Sequence, residues 1–249
     1  MKFQSLLIIL IMLTVGCGNL QRQSQLSANT EIIKNPKLLI VSMSGFATCR
    51  KSEQHEGDWG PLGHSMATRV FDLLGHIENT TGYKPDMMAS CFTSEPSLIT
   101  SSSIENWELK YPEDQEYIQT LHEKMAEYSH VFIVGHSYGG WLAMKLVESW
   151  QGAPEKIKSL HTIDPISKLL CFFDNPSDCI NAPKDITAIG RQHIRDNSNV
   201  WVNPWQRKTF FLHSSSISQA DENPLFDINH WDLDTHDEVW SNIKAKATL

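Results

Sequence analysis

Blocks of apolar and polar positions alternate along this chain, and their spacing predicts strands that alternate with helices. Short apolar runs, each closed by polar residues or glycine, predict buried strands at residues 37–43, 86–92, 131–134, 156–163 and 200–203, with a run at 208–213 that extends or follows the last of them. Apolar residues at every third or fourth position predict helices at residues 64–77, 112–128, 141–150 and 239–243. This alternation predicts an α/β fold with an open, mostly parallel sheet flanked by helices on both faces.

One stretch, VFIVGHSYGGW at residues 131–141, combines a predicted strand, a tight turn and the start of a helix. Its Gly-x-Ser-x-Gly pattern between an apolar run and an amphipathic segment is the context of a nucleophile elbow, in which a serine lies on a strained turn. We expect glycine to be required at 135 and 139, because a Cβ there would collide with neighbouring backbone. Ser137 is therefore the predicted nucleophile.

A serine hydroxyl is a poor nucleophile unless an imidazole takes its proton, and a carboxylate must fix the tautomer of that imidazole. Folds with an elbow place these groups in the order serine, acid, histidine. Asp164 ends the strand that follows the elbow, at the sheet edge where α/β proteins place their sites, although an Asp before Pro can also simply form a turn. His230 precedes the last helix. The alternatives are Asp196, Asp221 and Asp227 for the acid, and His236 and His213 for the base.

Two backbone N–H groups are expected to form an oxyanion hole, which holds the negative charge of a tetrahedral intermediate. One is the N–H of Tyr138, at the start of the helix that follows the elbow. The other is the N–H of Phe46, in the loop after the first strand. The alternative for the second position is an ordinary turn at Gly45.

Three segments resemble known enzymes. Residues 135–140 resemble lipases and esterases of the α/β-hydrolase superfamily. Residues 162–165 are similar to the Leu-Asp-Pro segment of animal lipases, with a placement that resembles thioesterase domains, and residues 230–243 resemble the ending of secreted bacterial and fungal hydrolases. The resemblance covers most of residues 37–243 and implies the α/β-hydrolase fold and acyl chemistry at a serine. The first strand departs from the usual His-Gly pattern, because Ser44 precedes its glycine.

Composition and charge narrow the range of partners. The 249 residues are 41% hydrophobic and 20% charged, which suits one globular α/β domain, and the net charge of −8 without a basic stripe argues against nucleic acid. Acidic residues at 232–238 could ligate calcium, but the spacing of an EF-hand is absent and acids at a helix start stabilise its dipole without a metal. We predict no metal and no cofactor.

The N-terminus resembles a bacterial lipoprotein signal. Lys2 precedes an apolar run at residues 6–15 that is too short to span a membrane and ends at Gly16-Cys17, although Thr14 stands where the pattern usually has Leu. We predict a signal peptide at residues 1–16, a lipidated Cys17 with a flexible tether to residue 34, and a catalytic domain at 35–249. The expected location is the periplasmic face of the outer membrane, with secretion as the alternative.

Four further cysteines suggest two disulfides in an exported chain, since an even number in an oxidising compartment favours pairing. Cys49 and Cys91 follow or end strands that should be neighbours, and Cys171 and Cys179 would close a short loop. We therefore favour the pairs 49–91 and 171–179. The alternative is free buried thiols.

Together these features predict an exported, membrane-anchored serine hydrolase of carboxylic esters, acting on a small-molecule or lipid substrate. A thioesterase or an acyltransferase would use the same triad, and a surface module could keep the fold for binding alone. The irregular segment at 94–111 is either a lid or a surface excursion.

Overall fold

The computed structural model describes residues 35–46, 66–92, 98–99, 104–105, 115–167 and 176–249. The predicted signal peptide, the lipidation site Cys17, the tether and the disulfide positions Cys49 and Cys171 lie outside the described residues. Within the described ranges, no helix has the length and apolar character that crossing a membrane requires.

The described elements follow the alternation of strands and helices that the sequence predicts. The strands are β1 (Leu38–Phe46), β2 (Asp86–Phe92), β3 (Leu98–Ile99), β4 (Ile104–Glu105), β5 (His130–His136), β6 (Ile157–Ile163), β7 (Trp201–Val202), β8 (Trp205–Gln206) and β9 (Leu225–Phe226). The helices are α1 (Met66–Thr81), α2 (Gln115–Ala126), α3 (Tyr138–Glu148), α4 (Ala188–Asp196) and α5 (Asp237–Lys246).

The central sheet has five parallel strands in the order β2-β1-β5-β6-β7. The predicted fold class is confirmed as an α/β fold with a parallel central sheet and helices on both faces. β1 pairs with β5 from Leu38↔His130 to Met43↔Gly135, and β5 pairs with β6 up to His136↔Ile163. Because all three strands run the same way, their carboxyl ends meet at one edge, which brings Ser137 and Asp164 close together.

Two apolar clusters cover the two faces of this sheet. On one face, α1 and α5 pack against residues such as Ile40 and Val134. On the other face, α2 and α3 pack against residues such as Val41 and Ile133. Adjacent strand residues point to opposite faces, so strands that are apolar throughout need a helical layer on each side. Helix α3 is buried along most of its length, which fits a helix that is apolar nearly all round.

The structure corrects one predicted element and adds another. Residues 208–213 were expected to form a strand, but Thr209 and Leu212 are buried while Phe210 and Phe211 are exposed, and the Leu212 N–H donates to the Thr209 carbonyl at 3.0 Å. That burial pattern and hydrogen bond belong to a turn. Helix α4 was not predicted, because only Gly190 and Ile194 of its residues are buried.

The disulfide predictions are tested only in part. Cys179 is fully buried and disulfide-bonded, and its partner is not among the described side chains. Cys91 lies in β2, which pairs with β1 as a 49–91 disulfide would require, but its side chain is not described either. Both pairings stay predictions.

His161 in β6 is a buried histidine outside the candidate site. Its side chain is 1% exposed, and neither ring nitrogen has a hydrogen-bond partner in the described structure. Burial, with a smaller contribution from Lys246, lowers the pKa of His161 from its usual 6.5 to about 3. The unfolded chain therefore takes up a proton below pH 6.5 that the folded chain does not, so this histidine removes stability as the pH falls.

We expect the free energy of unfolding of His161→Leu to be at least that of the wild type at pH 7. As the pH falls, it should increasingly exceed that of the wild type. The gain should grow by up to about 1.4 kcal/mol per pH unit below roughly pH 6, since one proton is involved. Urea unfolding of both proteins at several pH values between 4 and 8 measures this difference. Val202→Ala is the control, because Val202 pairs with His161 in register and carries no titratable group. If the free energies of unfolding of His161→Leu and the wild type differed by the same amount at every pH, the prediction would be wrong.

Candidate active site

Ser137 lies on the turn between β5 and α3, with φ at 56° and ψ at −123°. A non-glycine residue at positive φ is strained, and such strain persists only where the surroundings hold it. Four backbone hydrogen bonds do so here. The Ser137 N–H donates to Ile163 O at 2.9 Å, and Ser137 O accepts from Gly140 and Ile166 at 3.0 Å each and from Trp141 at 3.2 Å. The elbow is thus held to β6 and its following loop as well as to its own helix.

The two glycines of the motif are required by close backbone approach, as the sequence predicts. A Cβ at Gly135 would lie 2.3 Å from the Gly139 oxygen, and a Cβ at Gly139 would lie 2.1 Å from the Met43 oxygen. Both distances are far inside van der Waals contact. The strand, the elbow and the end of β1 can therefore meet only where these positions have no side chain.

His230 is within hydrogen-bond distance of both other predicted triad residues. Its Nε2 is 2.9 Å from Ser137 Oγ, and its Nδ1 is 2.7 Å from Asp164 Oδ2. A carboxylate can only accept, so Nδ1 carries the proton and Nε2 presents its lone pair to the serine hydroxyl. This is the tautomer that a general base for Ser137 requires.

Asp164 is fully buried and its carboxylate accepts from three groups. Oδ2 accepts from His230 and, at 2.8 Å, from Gln206 Nε2, while Oδ1 accepts from the Ser214 N–H at 2.6 Å. The residue has φ at 44°, a left-handed conformation that Asp and Asn tolerate better than other side chains. Buried carboxylates are costly unless donors surround them, and these donors also fix which way Asp164 points.

A second layer of contacts holds the histidine. The Thr209 Oγ1 accepts from the His230 backbone N–H at 2.9 Å, and the Thr209 N–H donates to Gln206 Oε1 at 2.8 Å. Neither Gln206 nor Thr209 has a signal in the sequence, because glutamine and threonine are common and their partners lie far along the chain. Gln206 and Thr209 are the contributors that sequence reasoning missed.

His136 packs behind His230, with ring centroids 4.7 Å apart. Its Nε2 is 3.0 Å from the His230 carbonyl, which can only accept, so this nitrogen carries the proton. Burial lowers the pKa of His136 well below its usual value and raises the pKa of Asp234, 3.7 Å from Nδ1, to about 7. Burial therefore disfavours the charged form of both groups, and the two do not form a strong ion pair. A neutral His136 adds no positive charge beside His230.

The two predicted oxyanion-hole residues lie on different elements. Tyr138 is the first residue of α3, and Phe46 is the last residue of β1. The residue of β1 that touches the serine is Gly45, where a Cβ would lie 2.7 Å from Ser137 Cβ and 3.3 Å from its Oγ. Glycine at this position leaves room beside the hydroxyl, and the role of the two N–H groups stays a prediction.

Four of the five alternative acids and bases have other contacts or positions in the structure. Asp221 pairs with Arg195 at 2.8 Å, and Asp196 accepts from a glutamine of its own helix. The ring of His213 contacts Ser214 O, and His236 is at the N-cap position of α5, where its side chain makes no capping hydrogen bond. In the described part of the chain, no group of three or more His, Cys, Asp or Glu side chains is arranged to hold a metal ion.

One exposed aromatic side chain contacts the triad, and two others follow a residue that bonds it. Trp231 is 60% exposed, and its ring meets that of His230 edge-on at 5.0 Å between centroids. Phe210 and Phe211, 79% and 45% exposed, follow directly after Thr209, which bonds His230. Exposed rings beside a site provide apolar surface for a ligand.

Comparisons with known proteins find similarity only among solved structures, since no family model and no curated protein matches the sequence. The Pyrococcus furiosus esterase Pf2001 is 11% identical, with a TM-score of 0.48 over 86% of this chain and 83% of that one. Est1E from Butyrivibrio proteoclasticus, with ferulic acid bound, is 10% identical, with a TM-score of 0.45 over 87% and 88%. Polyneuridine aldehyde esterase is 13% identical, with a TM-score of 0.45 over 85% and 100%. Similarities of this size carry no argument about the substrate or activity of this chain.

Proposed function

We propose that this protein is a serine hydrolase that cleaves carboxylic esters through Ser137, His230 and Asp164. The observation that supports the proposal is one continuous chain of hydrogen-bond contacts. It runs from Ser137 Oγ to His230 Nε2 at 2.9 Å and from His230 Nδ1 to Asp164 Oδ2 at 2.7 Å. A nucleophile, a base and an orienting acid in this geometry are what acyl transfer to a serine needs.

The reaction follows from these positions. Ser137 Oγ attacks the acyl carbon while His230 Nε2 takes the hydroxyl proton, and His230 then gives that proton to the departing alkoxide, which leaves as the alcohol. Water attacks the acyl-enzyme, His230 takes a proton from it, and the carboxylic acid leaves as the serine oxygen regains that proton. Asp164 holds the imidazole in its tautomer and stabilises the imidazolium.

The N–H groups of Tyr138 and Phe46 are proposed to stabilise the oxyanion in both steps. Tyr138 begins α3, where the helix dipole adds a partial positive charge. The exposed rings of Phe210, Phe211 and Trp231 favour an ester with an apolar acyl or aromatic group over a strongly polar one.

A fluorophosphonate probe tests the proposal, because it reacts with serines that a neighbouring base activates. We expect the full-length protein to take up one probe and peptide mass mapping to place it on Ser137. His230→Ala should fold and fail to label. A folded wild-type protein that does not label, alone or with a lipid surface present, would count against catalysis and favour a binding module.

Export and anchoring through Cys17 belong to the same proposal. They are supported by the Lys2 charge, the apolar run at residues 6–15 and the Gly16-Cys17 pair that ends it. A multiply acylated cysteine would hold the hydrolase at a membrane surface without a spanning helix. The same mass map measures this, since the first peptide of the mature protein should then begin at a lipid-modified Cys17; an unmodified Met1 would contradict it.

A further inference from the structure

The Gln206 side chain is buried and uses both ends of its amide. Gln206 is 0% exposed; its Nε2 donates to Asp164 Oδ2 and to Leu212 O, each at 2.8 Å, and its Oε1 accepts from the Thr209 N–H at 2.8 Å. A buried amide costs stability unless it is satisfied, and here the partners are specific rather than incidental.

These partners lead to two members of the triad. The donor end reaches the same Asp164 oxygen that holds His230 Nδ1. The acceptor end holds Thr209, whose hydroxyl accepts from the backbone N–H of His230. One side chain therefore sets the direction of the acid and the place of the base.

We propose that Gln206 is a positioning residue for the Asp164–His230 pair. This inference rests on the proposed function, since it assigns Gln206 a part in tuning the same triad. Gln206 does not touch Ser137 and acts only through its partners. Its N–H competes with His230 for the negative charge on Asp164 Oδ2, so it limits how strongly Asp164 favours the protonated imidazole.

Gln206→Met tests this, because methionine keeps the length of the side chain and removes both the donor and the acceptor. We expect kcat to fall about tenfold to a hundredfold, the range known for outer-shell partners of metal-ligating histidines, with little change in KM. The acid limb of the pH profile of kcat/KM, which reports protonation of the base in the free enzyme, should move to higher pH. A merely structural role would lower the yield or stability without moving this limb.

A second variant separates the two arms of the amide. Thr209→Val removes the hydroxyl that holds the His230 backbone and leaves the Gln206 bond to Asp164 in place. It should lower kcat without moving the acid limb. Titratable groups near the pair include His136, Asp234 and His213, and they are the same in every variant, so they cannot produce the difference.

The matched control is Gln192→Met on α4, since the Gln192 amide also donates to an aspartate, Asp196 Oδ1 at 3.0 Å, but is exposed. We expect it to leave kcat and the acid limb unchanged. If Gln206→Met does not fold, Gln206→Asn takes its place, because it keeps the amide but withdraws it from Asp164 by one methylene.

The outcomes separate this inference from the proposed function. A wild type that neither hydrolyses esters nor labels at Ser137 would defeat the proposed function itself. An active wild type whose acid limb is unmoved in the folded Gln206 variant would overturn the role of Gln206 alone.

Discussion

Replacing Ser137 by alanine is expected to lower kcat for ester hydrolysis by about 10⁵- to 10⁶-fold, because it removes the atom that forms the acyl-enzyme. The fold should tolerate the change. Ser137 already carries a Cβ at φ 56°, so alanine adds no new strain to the elbow, and only the hydroxyl is lost. Initial rates with p-nitrophenyl esters of several chain lengths, together with thermal melts, measure both expectations.

Ser218→Ala is the control for that experiment. Ser218 is exposed, and its hydroxyl bonds the neighbouring Gln219 side chain, so its removal should leave the rates unchanged. If Ser137→Ala kept full activity on every acyl substrate that the wild type cleaves, the serine mechanism would be wrong.

Asp164→Asn should lower kcat by about 10³- to 10⁴-fold and change KM little. The carboxylate accepts from His230, Gln206 and Ser214, and an amide cannot accept from all three. With its NH₂ toward His230, the asparagine places the imidazole proton on Nε2, which then cannot take the proton of Ser137. With its NH₂ toward Ser214, it faces a donor and carries no charge to stabilise the imidazolium.

Asparagine is the informative substitution at this position, because it also tolerates the φ of 44° that Asp164 adopts. Alanine would add backbone strain to the loss of the carboxylate. Asp196→Asn and Asp227→Asn are the controls, since both are exposed aspartates in the part of the chain where the sequence left the acid open. If either control lost as much activity as Asp164→Asn, the assignment of the acid would be wrong.

The two variants differ in what they leave behind. Ser137→Ala removes the nucleophile, so no residual covalent labelling should remain. Asp164→Asn keeps the nucleophile and a disordered or wrongly protonated base, so slow labelling with a fluorophosphonate should persist. If the protein binds ligands without catalysis, neither Ser137→Ala nor Asp164→Asn will change the rate of ester hydrolysis.

Much of the fold follows from local patterns. The strands at 86–92 and 157–163 and the last helix lie where the apolar spacing predicts them, within three residues at each end. Prediction from apolar spacing failed for an element in which few residues are buried. Helix α4 begins at the Thr187 cap, whose hydroxyl accepts from the Gly190 N–H at 3.1 Å, and that cap was the available signal.

The candidate site also has parts that local sequence predicts and parts that it does not. The sequence by itself determined the elbow, because a strand, a serine at positive φ and two glycines without room for a Cβ are dictated within a few residues. It also supplied the order of serine, acid and histidine. It left five other aspartates and histidines as alternatives for the acid and the base, since nothing local distinguishes one aspartate or histidine from another.

Only the tertiary structure decided which side chains meet. Asp164 and His230 are 66 positions apart and Gln206 and Asp164 are 42 apart, so their contacts depend on how the parallel strands and the loops after them come together. Gln206 and Thr209 became visible only in that arrangement. The physical reason is that hydrophobic periodicity acts over a few residues, whereas a buried hydrogen-bond network is specified by the register and ends of strands distant in the chain.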